Sequence, residues 1–241
     1  MWLIWDILLI MRIQKYLSEK KILSRREATD YIKKGLIKLN GKVTRETGIQ
    51  IDPQKDRVEI LPVAKNLMSE KITVAVYKSR DIVSSKIKAE GKTIFELLPE
   101  FENLNAVGRL DKDSEGLILL SNDGAVTNAV TGDKHTIEKE YEVGVRESVS
   151  PSKLRKMTKG ILLEDGMTLP TKTKLLTPHK FLIILKEGRK HQIRRMASAV
   201  YLTTISLKRI RVGNIRLGNL KPGGYRRLTQ EEISKLKQMS V

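Results

Sequence analysis

The sequence predicts an α+β protein in two domains, a small one over residues 11–63 and a larger one over 70–238. Three observations carry this expectation. Helix signals and a tight hairpin turn fall together between Arg12 and Pro62. A polar stretch, Ala64–Glu70, has the composition of a linker. From Ile72 onward, short apolar runs with strand character outnumber the helical segments.

In the small domain, Ile13, Tyr16 and Leu17 share one helical face of Arg12–Lys20. Ser24-Arg25-Arg26-Glu27 has the form of a capping box, in which Ser24 caps the helix and Glu27 reaches back to it. Gly35 suits the position just past that helix. Leu36–Leu39 reads as a strand, Asn40-Gly41 as a two-residue hairpin turn, and Arg57–Leu61 as a further strand. Ahead of this unit, residues 1–10 (MWLIWDILLI) form an apolar extension with neither the basic start nor the cleavage site of a secretory signal.

In the larger domain, Ile72–Tyr77 reads as a strand, and Thr93–Leu98 as a helical turn or two stopped by Pro99. Gly91-Lys92-Thr93 is not a phosphate loop, because Lys86 stands where that motif needs its first glycine. Next comes Gly108-Arg109-Leu110-Asp111, a polar turn to Gly116, and an apolar run, Leu117–Leu120, with the character of a buried strand. An Asp beside an Arg in such a turn is where a fold can hold a carboxylate at a cleft. Ala125–Val130 and Ser150–Lys159 read as helices, and Glu138–Val145, Thr173–Leu176 and Phe181–Lys186 as strands. Glu187–Met196 turns at Gly188 and enters a helix with Ile193, Met196 and Ala197 inward. Leu207–Ile210 and Ile215–Leu220 read as strands, and Thr229–Glu232 opens a last capped helix.

Charge narrows the partner. The formal net charge is +18, and Lys186–Arg227 holds twelve Lys and Arg against one acid. Arg12–Pro62 holds thirteen against seven. Two basic regions on one chain point to a polyanion, nucleic acid first. Arg12, Lys15, Arg25, Arg26, Lys33 and Lys34 lie on the helices of the small domain, where helical spacing can align several along a phosphate backbone. There is no cysteine, so disulfides and thiolate metal sites are excluded. His135, His179 and His191 lack metal-ligand spacing, and no segment is long enough to span a bilayer.

Arg12–Leu17, Ser24–Ala28, Ile32, Gly35, Ile37, Leu39-Asn40-Gly41-Lys42 and Val58 together resemble the S4 RNA-binding domain. Gly108-Arg109-Leu110-Asp111, Lys139-Glu140-Tyr141 and Glu187–Met196 look like the three catalytic motifs of a pseudouridine synthase. Their order, with Leu207–Gly213 and Leu220–Arg226, resembles the S4-bearing branch that modifies ribosomal RNA, the small-subunit type A and large-subunit types B, E and F, most of all type F. The chain departs from the family's Lys-Pro and glycine beside Lys78, where Ser79 and Asp81 stand.

The resemblance implies a mixed, mainly antiparallel sheet with flanking helices behind the S4 domain. It implies isomerisation of a uridine to pseudouridine without a cofactor or metal, in a cytoplasmic enzyme expected to be a monomer. The implied substrate is 23S rRNA, with 16S rRNA or a tRNA as the alternative; a non-catalytic ribosome-assembly protein is the reading from another class. By resemblance Asp111 is the reacting carboxylate, Arg194 pairs with it, and Tyr141 stacks on the uracil. Arg109 fills the space left by the extruded base, and Leu110 and Ile193 form the pocket wall. Arg189, Lys190, His191, Gln192 and Arg195 are expected to contact RNA at the site, and Asn40 to join the basic S4 residues.

Overall fold

The computed structural model describes residues 10–20, 22–65, 70–132 and 137–239. Residues 1–9 of the apolar extension, 66–69 of the polar stretch, and His135 lie outside them. The chain divides into two compact units, Met1–Lys71 with Asp123–Ala125, and Ile72–Asn122 with Val126–Val241.

In the first unit, β1 (Met11–Arg12) runs into α1 (Ile13–Glu19), and α2 (Arg25–Lys33) follows. The capping box is formed: Ser24 Oγ accepts from the Glu27 N–H at 3.2 Å, and the Glu27 carboxylate accepts from the Ser24 N–H at 2.7 Å. Two of the orphan donors at the helix start are thereby satisfied. Gly35 ends the helix at φ +69°. β2 (Ile37–Leu39), β3 (Lys42–Thr44), β4 (Gln50–Ile51) and β5 (Val58–Ile60) follow. β2 lies between β3 and β5, and the β4–β1 pair is separate. Asn40 and Gly41 both take positive φ, 51° and 79°, as the two-residue turn joining β2 to β3 requires. Ile13, Leu17, Ala28, Ile32 and Ile37 close a core at the expected helical spacing. The short α3 (Pro62–Lys65) ends the unit's continuous run.

The second unit is built on one nine-stranded sheet. In chain order its elements begin with β6 (Thr73–Lys78), α4 (Ile94–Leu97), β7 (Asn105–Val107), β8 (Glu115–Ser121) and α5 (Gly124–Thr131). Next are β9 (Lys139–Val145), α6 (Pro151–Lys159), the small hairpin β10 (Leu162–Leu163) and β11 (Gly166–Met167), β12 (Lys172–Thr177) and β13 (Lys180–Leu185). The last are α7 (Gln192–Ser198), β14 (Thr204–Val212), β15 (Ile215–Arg216), β16 (Tyr225–Arg227) and α8 (Gln230–Gln238). The strand order is β12-β13-β9-β14-β8-β6-β16, with β7 on β8 and β15 on β14. Every pairing is antiparallel except β14 with β8, so the sheet is mixed and mainly antiparallel. Residues 217–220, expected to continue β15, are a turn instead: Leu217 makes one more bond to Ile210 and Gly218, at φ +57°, then turns the chain away.

Helices cover the sheet in three apolar clusters. α6 and α7 bury Leu154, Met157, Ile193 and Met196 against Val143, Phe181, Ile183 and Leu207. α4 and its neighbours bury Ile94, Phe95 and Phe101 against Val74, Val76, Ile118 and Leu120. α5 and α8 bury Val126, Val130, Ile233 and Leu236 against Ala75, Leu117 and Leu119. Tyr141 touches both of the first two clusters and so lies at their seam.

The parallel crossing of β8 and β14 needs a glycine. A Cβ on Gly116 would lie 2.3 Å from the carbonyl oxygen of Arg209 and 2.7 Å from its nitrogen, at φ +103°. Backbone cannot swing aside as a side chain can, so Gly116→Ala is expected to destabilise the fold by about 3 kcal/mol. Urea unfolding checks this; an unchanged midpoint would contradict the tight crossing.

Candidate active site

A cleft of about 1010 Å³ opens at this seam. Its floor is the turn from β7 to β8. Gly108 enters the turn at φ +67°. Ser84, buried, holds Leu110 at both ends: its Oγ donates to the Leu110 carbonyl at 2.7 Å and accepts from the Leu110 N–H at 3.1 Å. On the other side of Asp111, the Lys78 ammonium donates to the carbonyls of Ser79, Ile82 and Lys112. Asp111 thus sits between two clamped neighbours, with its carboxylate half-buried and 3.5 Å from Nε2 of His191. A carboxylate fixed this way can act at a bound group without first being ordered.

Arg209 of β14 joins the floor to the sheet. It is 1% exposed; its Nε donates to the Leu117 carbonyl at 2.7 Å and its Nη2 to the Gly108 carbonyl at 2.6 Å. The facing wall is the 187–193 loop, organised by buried Glu187. Its carboxylate accepts from the Leu169 N–H at 2.9 Å, from Gln192 Nε2 at 2.6 Å and from Arg189 Nε at 3.0 Å. His191, next in that loop, takes the left-handed conformation at φ +51° just before α7. Strain of this kind survives only where surrounding contacts over-determine it.

Arg109, Leu110, Asp111, Tyr141, Arg189, Lys190, His191, Gln192 and Ile193 all line the cleft. Arg194 and Arg195 are not among the lining residues, and Arg189 and Gln192 serve in a different capacity from the one expected. Arg194 pairs with Asp113 at 2.8 Å rather than with Asp111. Asp113, two residues further along the turn, is more exposed and free to reach it, while Asp111 faces His191. Arg189 spends its guanidinium on Glu187 and on the carbonyls of Asp165, Gly166 and Met167, holding the β10–β11 hairpin. Arg195 makes a bidentate pair with Asp165 at 2.9 and 3.0 Å, which lowers the Asp165 carboxyl below the usual range. Gln192 is buried, its amide divided between Glu187 and the Arg189 N–H. Arg189 and Gln192 are committed to the wall and Arg194 and Arg195 to their ion pairs with Asp113 and Asp165, whereas Arg109 and Lys190 remain exposed at the cleft. In the first unit, Arg12, Lys15, Arg25, Arg26, Lys33 and Lys34 are all solvent-facing. Asn40 differs: its amide donates to Asp56 and accepts from the Arg57 N–H, both at 2.8 Å, and holds the hairpin.

Lys78, Lys139 and Arg209 were not singled out from the sequence as site residues, yet they form a buried cationic base beneath the cleft. Lys139 and Arg209 line it directly. Alternation along β9 places Lys139 on the face of Tyr141 and Val143, which is the signal that marks it. Burial pulls the Lys78 ammonium down to about 8; Asp113, Asp111 and Asp81 oppose the shift and Arg209 adds to it. Burial, with Arg209 nearby, brings Lys139 to about 8 as well. Because the folded value lies below the ordinary lysine value of 10.5, the folded state binds fewer protons than the unfolded between those two pH values. The cost of burying the charged Lys139 is therefore full below pH 8 and is relieved as pH rises toward 10.5. Lys139→Met is expected to stabilise the protein at pH 7 by on the order of 2 kcal/mol, with the gain shrinking between pH 8 and 10.5. Denaturant titrations across that range check this; a gain that grows with pH would contradict it.

Comparison with known proteins identifies the family. Residues 72–199 match the RNA pseudouridylate synthase family, and residues 11–58 match the S4 domain. Ribosomal large subunit pseudouridine synthase B of Bacillus subtilis is 34% identical over 239 residues, covering 95% of this chain and 96% of its own. Ribosomal small subunit pseudouridine synthase A of Haemophilus influenzae is 32% identical, covering 94% and 99%. The dual-specificity RNA pseudouridine synthase RluF of Escherichia coli is 34% identical, covering 94% and 78%. A crystal structure of a pseudouridylate synthase superposes with a TM-score of 0.70 at 31% identity, covering 94% of this chain and 99% of that one. The chain belongs to the RNA pseudouridylate synthase family, the isomerases that convert uridine to pseudouridine, and to its branch with an N-terminal S4 domain.

Proposed function

We propose that this enzyme isomerises one specific uridine of 23S ribosomal RNA, with Asp111 as the reacting carboxylate. The observation that carries the reading is Asp111 itself, half-buried at the cleft between the clamped residues Leu110 and Lys112. The reaction breaks the bond from N1 of uracil to the ribose, turns the base, and joins C5 to the same carbon. No electron is gained or lost. What the site must supply is a carboxylate held against the ribose and base, acting as nucleophile or as the base for a ribose proton.

The surrounding groups divide the rest of the work. The uridine leaves its stack to enter the cleft, at a cost of a few kcal/mol. Arg109, exposed at the rim, takes the vacated space in the RNA. Tyr141 presents a ring to the uracil, and Leu110 and Ile193 wall the pocket. The Lys139 and Arg209 cations favour negative charge that develops at the cleft. His191, rather than Arg194, is the basic side chain that faces the Asp111 carboxylate. In the S4 domain, Arg12, Lys15, Arg25, Arg26, Lys33 and Lys34 hold the RNA by its phosphates. The division of the chain between Lys71 and Ile72 separates these two tasks.

The 23S assignment rests on the Asp111–Gly116 motif, the C-terminal tail, and the large-subunit relative. A small-subunit relative from Vibrio parahaemolyticus at 34% identity supports 16S rRNA as the second reading. Transcripts of 23S rRNA, 16S rRNA and tRNA labelled with tritium at uridine C5 separate them. Release from the 23S transcript alone is expected. Release from 16S alone would transfer the assignment, and release from none would overturn the rRNA reading.

A further inference from the structure

Among the described residues, four non-glycine residues take positive φ: Asn40, Asp81, His191 and Tyr201. Asn and Asp tolerate that region because their short side chains bond locally. His191 faces Asp111 at the cleft. Tyr201, at φ +57°, has no such account.

Its backbone explains the conformation but not the side chain. The Tyr201 N–H donates to the Ser198 carbonyl and the Leu202 N–H to the Ala197 carbonyl, both at 2.9 Å. These two bonds form a Schellman motif closing α7, and Tyr201 occupies the left-handed position that glycine ordinarily fills. Leu202 beside it is 2% exposed and anchors the motif. The Tyr201 ring, by contrast, is 84% exposed. Packing therefore does not account for an aromatic side chain at a position where glycine would be less strained.

The helix tied to the Tyr201 backbone is basic. The Lys153 ammonium donates to the Tyr201 carbonyl at 3.1 Å, bringing α6 alongside. α6 carries Lys153, Arg155, Lys156 and Lys159 and no acidic residue. None of the four is paired with a carboxylate among the described residues. Arg146 is exposed nearby, its N–H bonded to the Thr203 carbonyl. The neighbouring Glu147 carboxylate is occupied by the N–H and hydroxyl of Thr203.

We propose that Tyr201 and the basic side of α6 form a second RNA contact outside the catalytic cleft, with the ring stacked on an unpaired base and α6 along the adjoining phosphates. An exposed ring with unneutralised cations beside it is how sequence-tolerant single-strand contacts are built. The contact lies at the far end of α7 from His191, with the seven-residue helix, about 10 Å long by its rise per residue, between them. It engages nucleotides flanking the target rather than the target itself. The inference rests on the reading of this chain as an rRNA enzyme.

The test uses the full chain as wild type, Tyr201→Gly and Tyr201→Trp, with the 23S and 16S transcripts. Affinity is measured by filter binding, turnover by tritium release, and stability by thermal unfolding. For Tyr201→Gly, Kd and KM are expected to rise roughly tenfold, the order of a lost base–aromatic stack. Its kcat is expected to be unchanged and its Tm to rise, because glycine relieves the left-handed strain. Tyr201→Trp is expected to keep the affinity. A Tyr201→Gly variant with wild-type Kd would overturn the proposal and leave the ring to some protein partner, as would loss of affinity in Tyr201→Trp. If the wild type binds but turns over neither transcript, the isomerase assignment fails on those RNAs, while the Kd ratio still decides this one.

Discussion

The buried guanidinium of Arg209 is the interaction on which the second unit most depends. It sits in β14, at the one parallel crossing of the sheet, and donates to carbonyls of β8 and of the turn that carries Asp111. A buried cation without acceptors would be costly. Here the Leu117 and Gly108 carbonyls supply the acceptors, so the charge and the turn stabilise each other. Gly116 lets the two backbones meet closely enough for this. The same residue thus closes the sheet, fixes the turn and sets positive potential beneath the cleft.

Glu187 plays the reciprocal part on the facing wall, as a buried anion among donors. It gathers Arg189, Gln192 and the Leu169 N–H, and so determines where His191 stands. Much of the basic charge in the 187–195 stretch is consequently committed to structure. Arg189 and Arg195 hold the β10–β11 hairpin and Arg194 holds Asp113. Arg109 and Lys190 at the rim, Arg155, Lys156 and Lys159 of α6, and the basic residues of the S4 helices are exposed. Net charge identified the class of partner; only the pairing distinguishes the cations that meet it from those that hold the protein together.

Local signals were the most legible part of the sequence. The Ser24–Glu27 and Thr229–Glu232 capping boxes, the Asn40-Gly41 turn and the buried Leu117–Leu120 run depend on neighbours in the chain, and each formed as read. Asp111 and Tyr141 came from motif resemblance, and the fold does bring them to one cleft. The pairing of charges was not legible, because it is decided across the sheet. Arg194 could reach either Asp111 or Asp113 on spacing alone, and the exposed turn settled it for Asp113. Asn40 looked available to RNA until Asp56, far along the chain, took its amide. Lys139 was missed although alternation along β9 puts it on the face of Val143 and Val145, where a charge is a sign of a paired or functional group; Arg209 shares its face with Arg211 and carried no such mark.

Asp111 and Asp113 stand two residues apart in the same turn, and only one is assigned the chemistry. The most direct test compares Asp111→Asn and Asp113→Asn for tritium release from a uridine-labelled rRNA transcript that the wild type turns over. The account predicts no detectable release by Asp111→Asn, with RNA binding retained, and substantial release by Asp113→Asn. Wild-type release by Asp111→Asn would contradict it.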